Sequence, residues 1–259
     1  MTFNPSRQAP RIASLFAAAA AALVLGHAGT AHADRRAFGY TYEYNTMAEG
    51  GLDLELWNTQ SRSTFDGGTA GLEWKAELEY GITDHWDIAL YQVFAQDGRE
   101  GAVAYDETSL ETRYRFAERG QWPVDVLVYL ELAKGFGATK WDVEPKLVLA
   151  RDLGKLSLNL NLAPELQFSR TTEAGETSLD VELEPSWALG ASYEVSPRWK
   201  VGAETFGAHP FAEKVTEAWA GPAVSWAPSA KLWVASTAAF GLTDDSDAFA
   251  LRFVLGIGL

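Results

Sequence analysis

Between Leu72 and Ile82 the chain reads Leu-Glu-Trp-Lys-Ala-Glu-Leu-Glu-Tyr-Gly-Ile. Leu72, Trp74, Ala76, Leu78, Tyr80 and Ile82 fall on one parity, and Glu73, Lys75, Glu77 and Glu79 on the other. A repeat of two is the signature of an extended strand, because successive side chains point to opposite faces. The pattern returns at 156–167, where Leu156, Leu158, Leu160 and Leu162 oppose Ser157, Asn159, Asn161, Glu165 and Gln167, and again at 179–193. These runs are 11 to 15 residues long. Strands of ordinary globular domains have about 5–6 residues, whereas a strand tilted through a bilayer needs about 9–11. That length decides what the apolar face can meet.

Twelve strands are predicted, at 51–60, 71–82, 86–95, 107–117, 123–134, 141–151, 155–168, 178–194, 198–208, 217–227, 231–240 and 248–259. Alternation is weaker at 86–95, 217–227 and 231–240, where small residues occupy both parities. The turns at 83–85, 152–154, 196–197 and 228–230 are tight, while 61–70, 96–106, 169–177 and 241–247 are longer and rich in Gly, Asp, Glu, Ser and Thr. Short periplasmic turns alternating with longer outer loops characterise transmembrane barrels. Tyr80 and Trp86, Tyr193 and Trp199, and Trp226 and Trp233 flank three of the tight turns, and Phe116 and Trp122 flank the somewhat longer turn at 117–121; only 152–154 lacks such a pair. Such rings suit a membrane interface, being apolar with a polar edge. The expected fold is an all-β, transmembrane, antiparallel up-and-down barrel of about twelve strands over 51–259. A soluble sandwich or lipocalin-like barrel is the alternative, with the apolar face buried and the charged face in water.

The first residues fit an export signal. Arg7 and Arg11 precede an apolar stretch, Ile12 to Gly26, and Ala31-His32-Ala33 forms a small-x-small cleavage site before Asp34. Cleavage after 33 removes two arginines and no acid, making the mature chain still more acidic than the full chain's formal net charge of −14. That sign argues against nucleic acid as a partner. With no cysteine there is neither a disulfide framework nor a thiolate metal site. Segment 34–50 contains a further alternating stretch, Phe38 to Tyr44, but a thirteenth strand would break the even count usual in bacterial barrels. It is read as an N-terminal segment that enters the lumen from the periplasm or stays in the periplasm.

If the apolar face meets outer-membrane lipid, the other face lines the lumen. It carries Glu55, Glu73, Glu77, Glu79, Glu111, Asp125, Glu131, Asp142, Glu144, Glu165, Asp180, Glu182, Glu184 and Glu204, against Lys75, Arg113, Arg115, Lys146, Lys200 and Arg252. So many like charges need water or cross-pairing. Two readings stand: a cation-preferring passage, or a charge-paired core without a through path. Twelve strands lie between the filled eight-stranded barrel and the open sixteen-stranded one. A lipid hydrolase is a third reading. It has little to work with, since the mature chain has only His85 and His209, the latter before Pro210 and outside any His-x-Ser pattern. No Gly-rich phosphate loop or HExxH motif calls for a cofactor or metal. Asp244-Asp245-Ser246-Asp247 offers oxygens for calcium but lacks a closing Glu, so a solvated outer loop is the simpler reading. Pro145, Pro164, Pro185 and Pro222 fall inside strands and predict bulges or bends.

Phe38-Gly39-Tyr40, Gly51-Leu52-Asp53-Leu54-Glu55-Leu56-Trp57, Glu79-Tyr80-Gly81-Ile82-Thr83-Asp84-His85-Trp86, Glu144-Pro145-Lys146-Leu147 and Gly221-Pro222 together resemble a group of proteobacterial outer-membrane β-barrel proteins. Its relatives include transporter-like barrels of the MetA-pathway phenol-degradation type. The resemblance spans most of the mature chain, but its motifs are structural. It implies a Gram-negative outer-membrane location, insertion by the barrel-assembly machinery, and a channel or transporter-like role for small solutes. One departure is the terminal Leu259, where many such proteins end in an aromatic residue.

Overall fold

The computed structural model describes residues 35–259 except 67, 99, 137–139, 174–175 and 213. The expected signal segment, 1–33, lies outside the described residues. Twelve strands follow in order: β1 (Leu52–Arg62), β2 (Ala70–Thr83), β3 (Trp86–Asp97), β4 (Ala104–Arg115), β5 (Asp125–Gly135), β6 (Lys140–Leu153), β7 (Leu156–Glu173), β8 (Glu176–Ser196), β9 (Trp199–Ala208), β10 (Glu217–Ser229), β11 (Leu232–Gly241) and β12 (Phe249–Gly258). Each pairs antiparallel with its chain neighbours, and β12 closes onto β1, from Asp53 opposite Gly258 to Arg62 opposite Phe249. The Leu259 N–H donates to the Leu52 carbonyl at 2.9 Å and completes the seam. Closure leaves no sheet edge, which in hydrocarbon would strand unpaired backbone groups at several kcal/mol each.

The register turns the alternation into two surfaces. Leu54, Leu78, Leu90, Leu110 and Leu132 stand side by side across β1 to β5. The last four are 42–51% exposed, an apolar band that only lipid covers favourably. On the inner face the corresponding row runs Asp53, Glu79, Ala89, Glu111, Glu131 and Glu144 across β1 to β6. The sequence parity thus sorts side chains as a membrane barrel requires.

No bulge marks Pro145, Pro164, Pro185 or Pro222, although bulges or bends are expected there. Pro145, Pro164 and Pro185 lie at one level on β6, β7 and β8. The β6–β7 ladder is interrupted between the Val143–Leu166 and Leu147–Leu162 pairs, yet the register is the same on both sides. Pro222 likewise spans a gap between Ala220–Phe240 and Ala223–Thr237 without a shift. A missing N–H removes a rung there without adding a residue. The register shifts lie elsewhere, at Gly81/Thr83, Val93/Phe94, Glu194/Ser196 and Trp226/Ser229, three of them at tight turns. The β7–β8 hairpin is longer than predicted and outruns its neighbours: β8 pairs with β9 only as far as Ser186, while its ladder with β7 continues to Glu176.

Candidate functional site

The lumen is the candidate site, and the N-terminal segment fills its tight-turn half. Arg35 fixes the entry, donating to Ser225 Oγ at 3.0 Å, the Ser225 carbonyl at 2.9 Å and the Pro197 carbonyl at 2.9 Å. Phe38 is fully buried against Gly190, where any Cβ would come within 2.7 Å of its ring. The tip is held by Glu204. Its carboxylate accepts the N–H groups of Gly39 at 2.9 Å, Tyr40 at 3.1 Å and Thr41 at 2.7 Å, with the hydroxyls of Thr41 at 2.8 Å and Thr237 at 2.5 Å. Tyr40 is stacked 3.8 Å from Phe206, and the Arg252 guanidinium lies 4.0 Å from its ring centroid. Asn161 brackets Tyr42, accepting its N–H at 2.6 Å and donating to its carbonyl at 3.0 Å. The chain then returns to the tight-turn rim. There Tyr44 donates to the Ala117 carbonyl at 2.6 Å, and Met47 N–H to Asp87 at 2.8 Å. Gly50 and Gly51 lie against Gly81, where a Cβ would meet the Ala48 carbonyl oxygen at 2.0 Å.

Around this segment the wall is packed and charge-paired. Arg113 sits among three carboxylates: it contacts Glu79, reaches Asp87 at 2.8 Å and approaches Glu111 at 3.3 Å. Tyr91 donates to Glu111 and Tyr129 to Glu131. Arg36 lies 3.9 Å from Glu55 and over the rings of Tyr42 and Trp57. Of the residues predicted to line the lumen, Glu55, Glu77, Glu79, Glu111, Arg113, Asp125, Asp142 and Glu204 are buried. Glu73, Lys75, Arg115, Glu131, Glu144, Lys146, Glu165, Glu184, Lys200 and Arg252 are half-buried. Asp180 and Glu182 are exposed, because β8 carries them beyond its last pair with β9.

The acidic row continues past β6: Glu144 is followed by Glu165 on β7, which pairs with Glu184 on β8. Because strands in a closed barrel are staggered, the row climbs from Asp53 at the tight-turn end of β1 to Glu184 near the loop end. In the loop half, Glu107, Glu131, Asp142, Glu144 and Glu165 surround a cavity of about 180 Å³. A second cavity of about 310 Å³ opens beside the N-terminal segment at the tight-turn mouth, lined by residues including Glu43, Arg119, Ser157, Ser192 and Lys200.

Solved structures of similar fold include the NanC porin, with a TM-score of 0.53 at 11% identity, covering 80% of this chain and 98% of that one. The KdgM porin gives 0.55 at 9% identity, covering 80% and 97%. The translocator domain of the autotransporter NalP from Neisseria meningitidis gives 0.52 at 13% identity, covering 80% and 88%. The fold is one that outer-membrane porins share. No family model and no curated protein matches the sequence.

Seven of the eight predicted interface aromatics, Tyr80, Trp86, Phe116, Trp122, Tyr193, Trp199 and Trp226, are 41–49% exposed. Trp233 is a correction. It is 1% exposed and packs inside with Trp57, Ala235 and Val254. Its phase is set by Ala235, Thr237 and Ala239, which all point inward, and weak alternation on β11 hides that parity. The histidines lie at opposite rims. His85 Nε2 meets Glu118 at 2.7 Å at a tight turn, and His209 Nδ1 meets Thr216 Oγ1 at 2.8 Å at the loop end. The acidic loop is tied down: Asp245 accepts the Thr216 N–H at 3.0 Å, and the Asp247 carbonyl accepts Trp219 Nε1–H at 2.8 Å. Sequence reading missed Asp53, Asp87, Glu107 and Asn161. All four share the inward parity of their strands, Glu107 with Glu111 and Arg113, a signal that was available.

Proposed function

We propose that this chain is an outer-membrane channel for small solutes with a preference for cations, its tight turns facing the periplasm. The observation that carries the reading is the loop-half part of the inner-wall carboxylate row, Glu131, Glu144, Glu165 and Glu184, which stay half-buried, the first three beside an acidic cavity. Like charges placed directly opposite destabilise a sheet, so keeping them in register asks for a wet lumen and mobile counter-ions. The porin-like fold supports the same reading, as does the resemblance to transporter-like barrels. Small solutes, bilayer lipid and the assembly machinery are the partners it implies.

The test is electrical. Full-length protein in a planar bilayer under a salt gradient should give current steps whose reversal potential lies on the cation side. That offset should shrink as salt screens the wall over a Debye length of about 10 Å at 0.1 M and 3 Å at 1 M. An anion-side reversal potential would overturn the cation preference. Silence from well-folded protein, across voltage and in variants that loosen the N-terminal segment, would overturn the channel.

A further inference from the structure

Given the channel reading, on which this rests, we propose that residues 36–47 form a releasable plug, latched shut by Glu204. The latch has a distinctive chemistry. Three consecutive backbone N–H groups, from Gly39, Tyr40 and Thr41, converge on one carboxylate that is itself 3% exposed. Successive N–H groups turned inward make an anion-binding concavity, and here the anion is supplied by the wall. Glu204 on β9, Asn161 on β7 and Thr237 on β11 each sit six residues in from the tight-turn end of their strands. The three grip the plug tip from separate parts of the barrel at one level.

Three features make the plug releasable. Among the described residues, no strand pairing ties 36–47 to the sheet, so lifting it breaks no ladder rung. Both ends of the segment are fastened at the same rim, by Arg35 at the β9–β10 side and by Gly50 and Gly51 at β2. The plug is therefore a loop hung from the tight-turn mouth, and it can leave without threading through the barrel. The cavity of about 310 Å³ beside it at that mouth, lined by Glu43 and Asn45 of the plug itself, gives it room to start. In the latched position Tyr42 lies against Tyr129, with Lys146 4.1 Å from both ring centroids.

The closing experiment reads the latch and the current separately, in the full-length protein. Glu204→Gln keeps the shape of the side chain and weakens the charge-assisted bonds; Glu204→Ala removes them. Amide hydrogen exchange at residues 39–41 should accelerate by about tenfold or more in the alanine variant and by less in the glutamine variant, since bonds to a charged group exceed neutral ones. Channel open time should rise in the same order. The reverse control locks the plug. A Cβ on Gly39 would stand 3.1 Å from Thr237 Cβ, a few tenths inside the usual disulfide spacing of about 3.5–4.5 Å. The protein has no native cysteine, so Gly39→Cys with Thr237→Cys forms a single bridge. Oxidised protein should be silent and reduced protein should conduct. Unchanged exchange in both Glu204 variants would overturn the latch whatever the currents do. Accelerated exchange with current persisting through the oxidised bridge would overturn the gate while sparing the channel. Accelerated exchange with no current in any variant would overturn the channel, and the gate with it.

Discussion

The two halves of the lumen are built from the same alternation and end in opposite states. In the tight-turn half, Glu77, Glu79, Asp87 and Glu111 are about 1% exposed, and the N-terminal segment packs Phe38, Tyr44 and Met47 against the wall. In the loop half, Glu131, Glu144, Glu165 and Glu184 belong to the same inner face but stay half-buried, the first three around a cavity. Part of the difference comes from the strands, since Arg113, Tyr91 and Trp57 pair with Glu79, Asp87, Glu111 and Glu77. The rest comes from sixteen residues, 35–50, that supply arginine, aromatic rings and backbone donors to that half only. Burying charge is favourable only with good partners, and the plug completes that set where the barrel alone would leave it wet.

The sharpest way to break this contrast is to remove the cation from the packed half. Arg113→Met would leave Glu79, Asp87 and Glu111 facing one another without their shared guanidinium. Breaking a buried ion pair this way costs about 3–5 kcal/mol, read as a lower denaturant midpoint for the folded barrel in detergent. Lys140→Met in the loop half removes a partner of Asp142 at 3.5 Å from a side chain 40% exposed. It should cost no more than about 1 kcal/mol. Equal losses at the two sites would erase the distinction between the halves.

A smaller effect sharpens the same contrast from the open side. Glu144→Gln together with Glu165→Gln removes two charges from the loop-half cavity. A unit charge about 6 Å from a passing ion in water is worth about 0.7 kcal/mol, roughly threefold in occupancy per carboxylate. The cation-to-anion permeability ratio should fall by about the square of that factor, roughly tenfold, for each substitution, since the anion gains what the cation loses; the unfolding midpoint should drop by much less than for Arg113→Met, through loss of the Glu144–Lys146 pair at 3.1 Å. A loss of stability without a change in selectivity would place these carboxylates in a paired core.

The sheet was legible because its signal is redundant. Most strands repeat their parity over ten or more residues, and a slip of one would turn their carboxylates to lipid. Twelve strands and the β1–β12 seam follow from that pattern and from the alternation of tight and long turns. Trp233 shows where redundancy fails: with Ala235, Ala238 and Ala239 on both parities of β11, one aromatic cannot set the phase. Segment 35–50 shows a second limit. Phe38, Tyr40, Tyr42 and Tyr44 alternate like a strand, yet they meet Gly190, Phe206, Tyr129 and the Ala117 carbonyl in turn across the lumen. Period two reports an extended chain with two different sides, not what those sides touch. The donors converging on Glu204 are backbone groups with no sequence signature, so the latch could be found only in three dimensions.

The smallest test asks how far the packed character of the tight-turn half extends, and it lies at the rim. His85 Nε2 and Glu118 Oε1 are 2.7 Å apart, Arg115 is 3.8 Å from the other carboxylate oxygen, and Glu118 is 70% exposed. The hydrogen bond from His85, more than the nearby Arg115 charge, holds the Glu118 carboxyl below its ordinary range. A carboxyl lowered on folding favours the folded state above its unfolded pKa, about 4.3, and that contribution disappears as pH falls through the lowered value. Replacing His85 with Ala should move the Glu118 titration back up toward the ordinary value, followed by carbon NMR of labelled glutamate. At so exposed a site solvent screens the pair, so the unfolding midpoint at neutral pH should not move. A midpoint that drops as it does for Arg113→Met would extend the packed, charge-dependent region to the turns themselves. An unmoved titration would mean that the pair does not form.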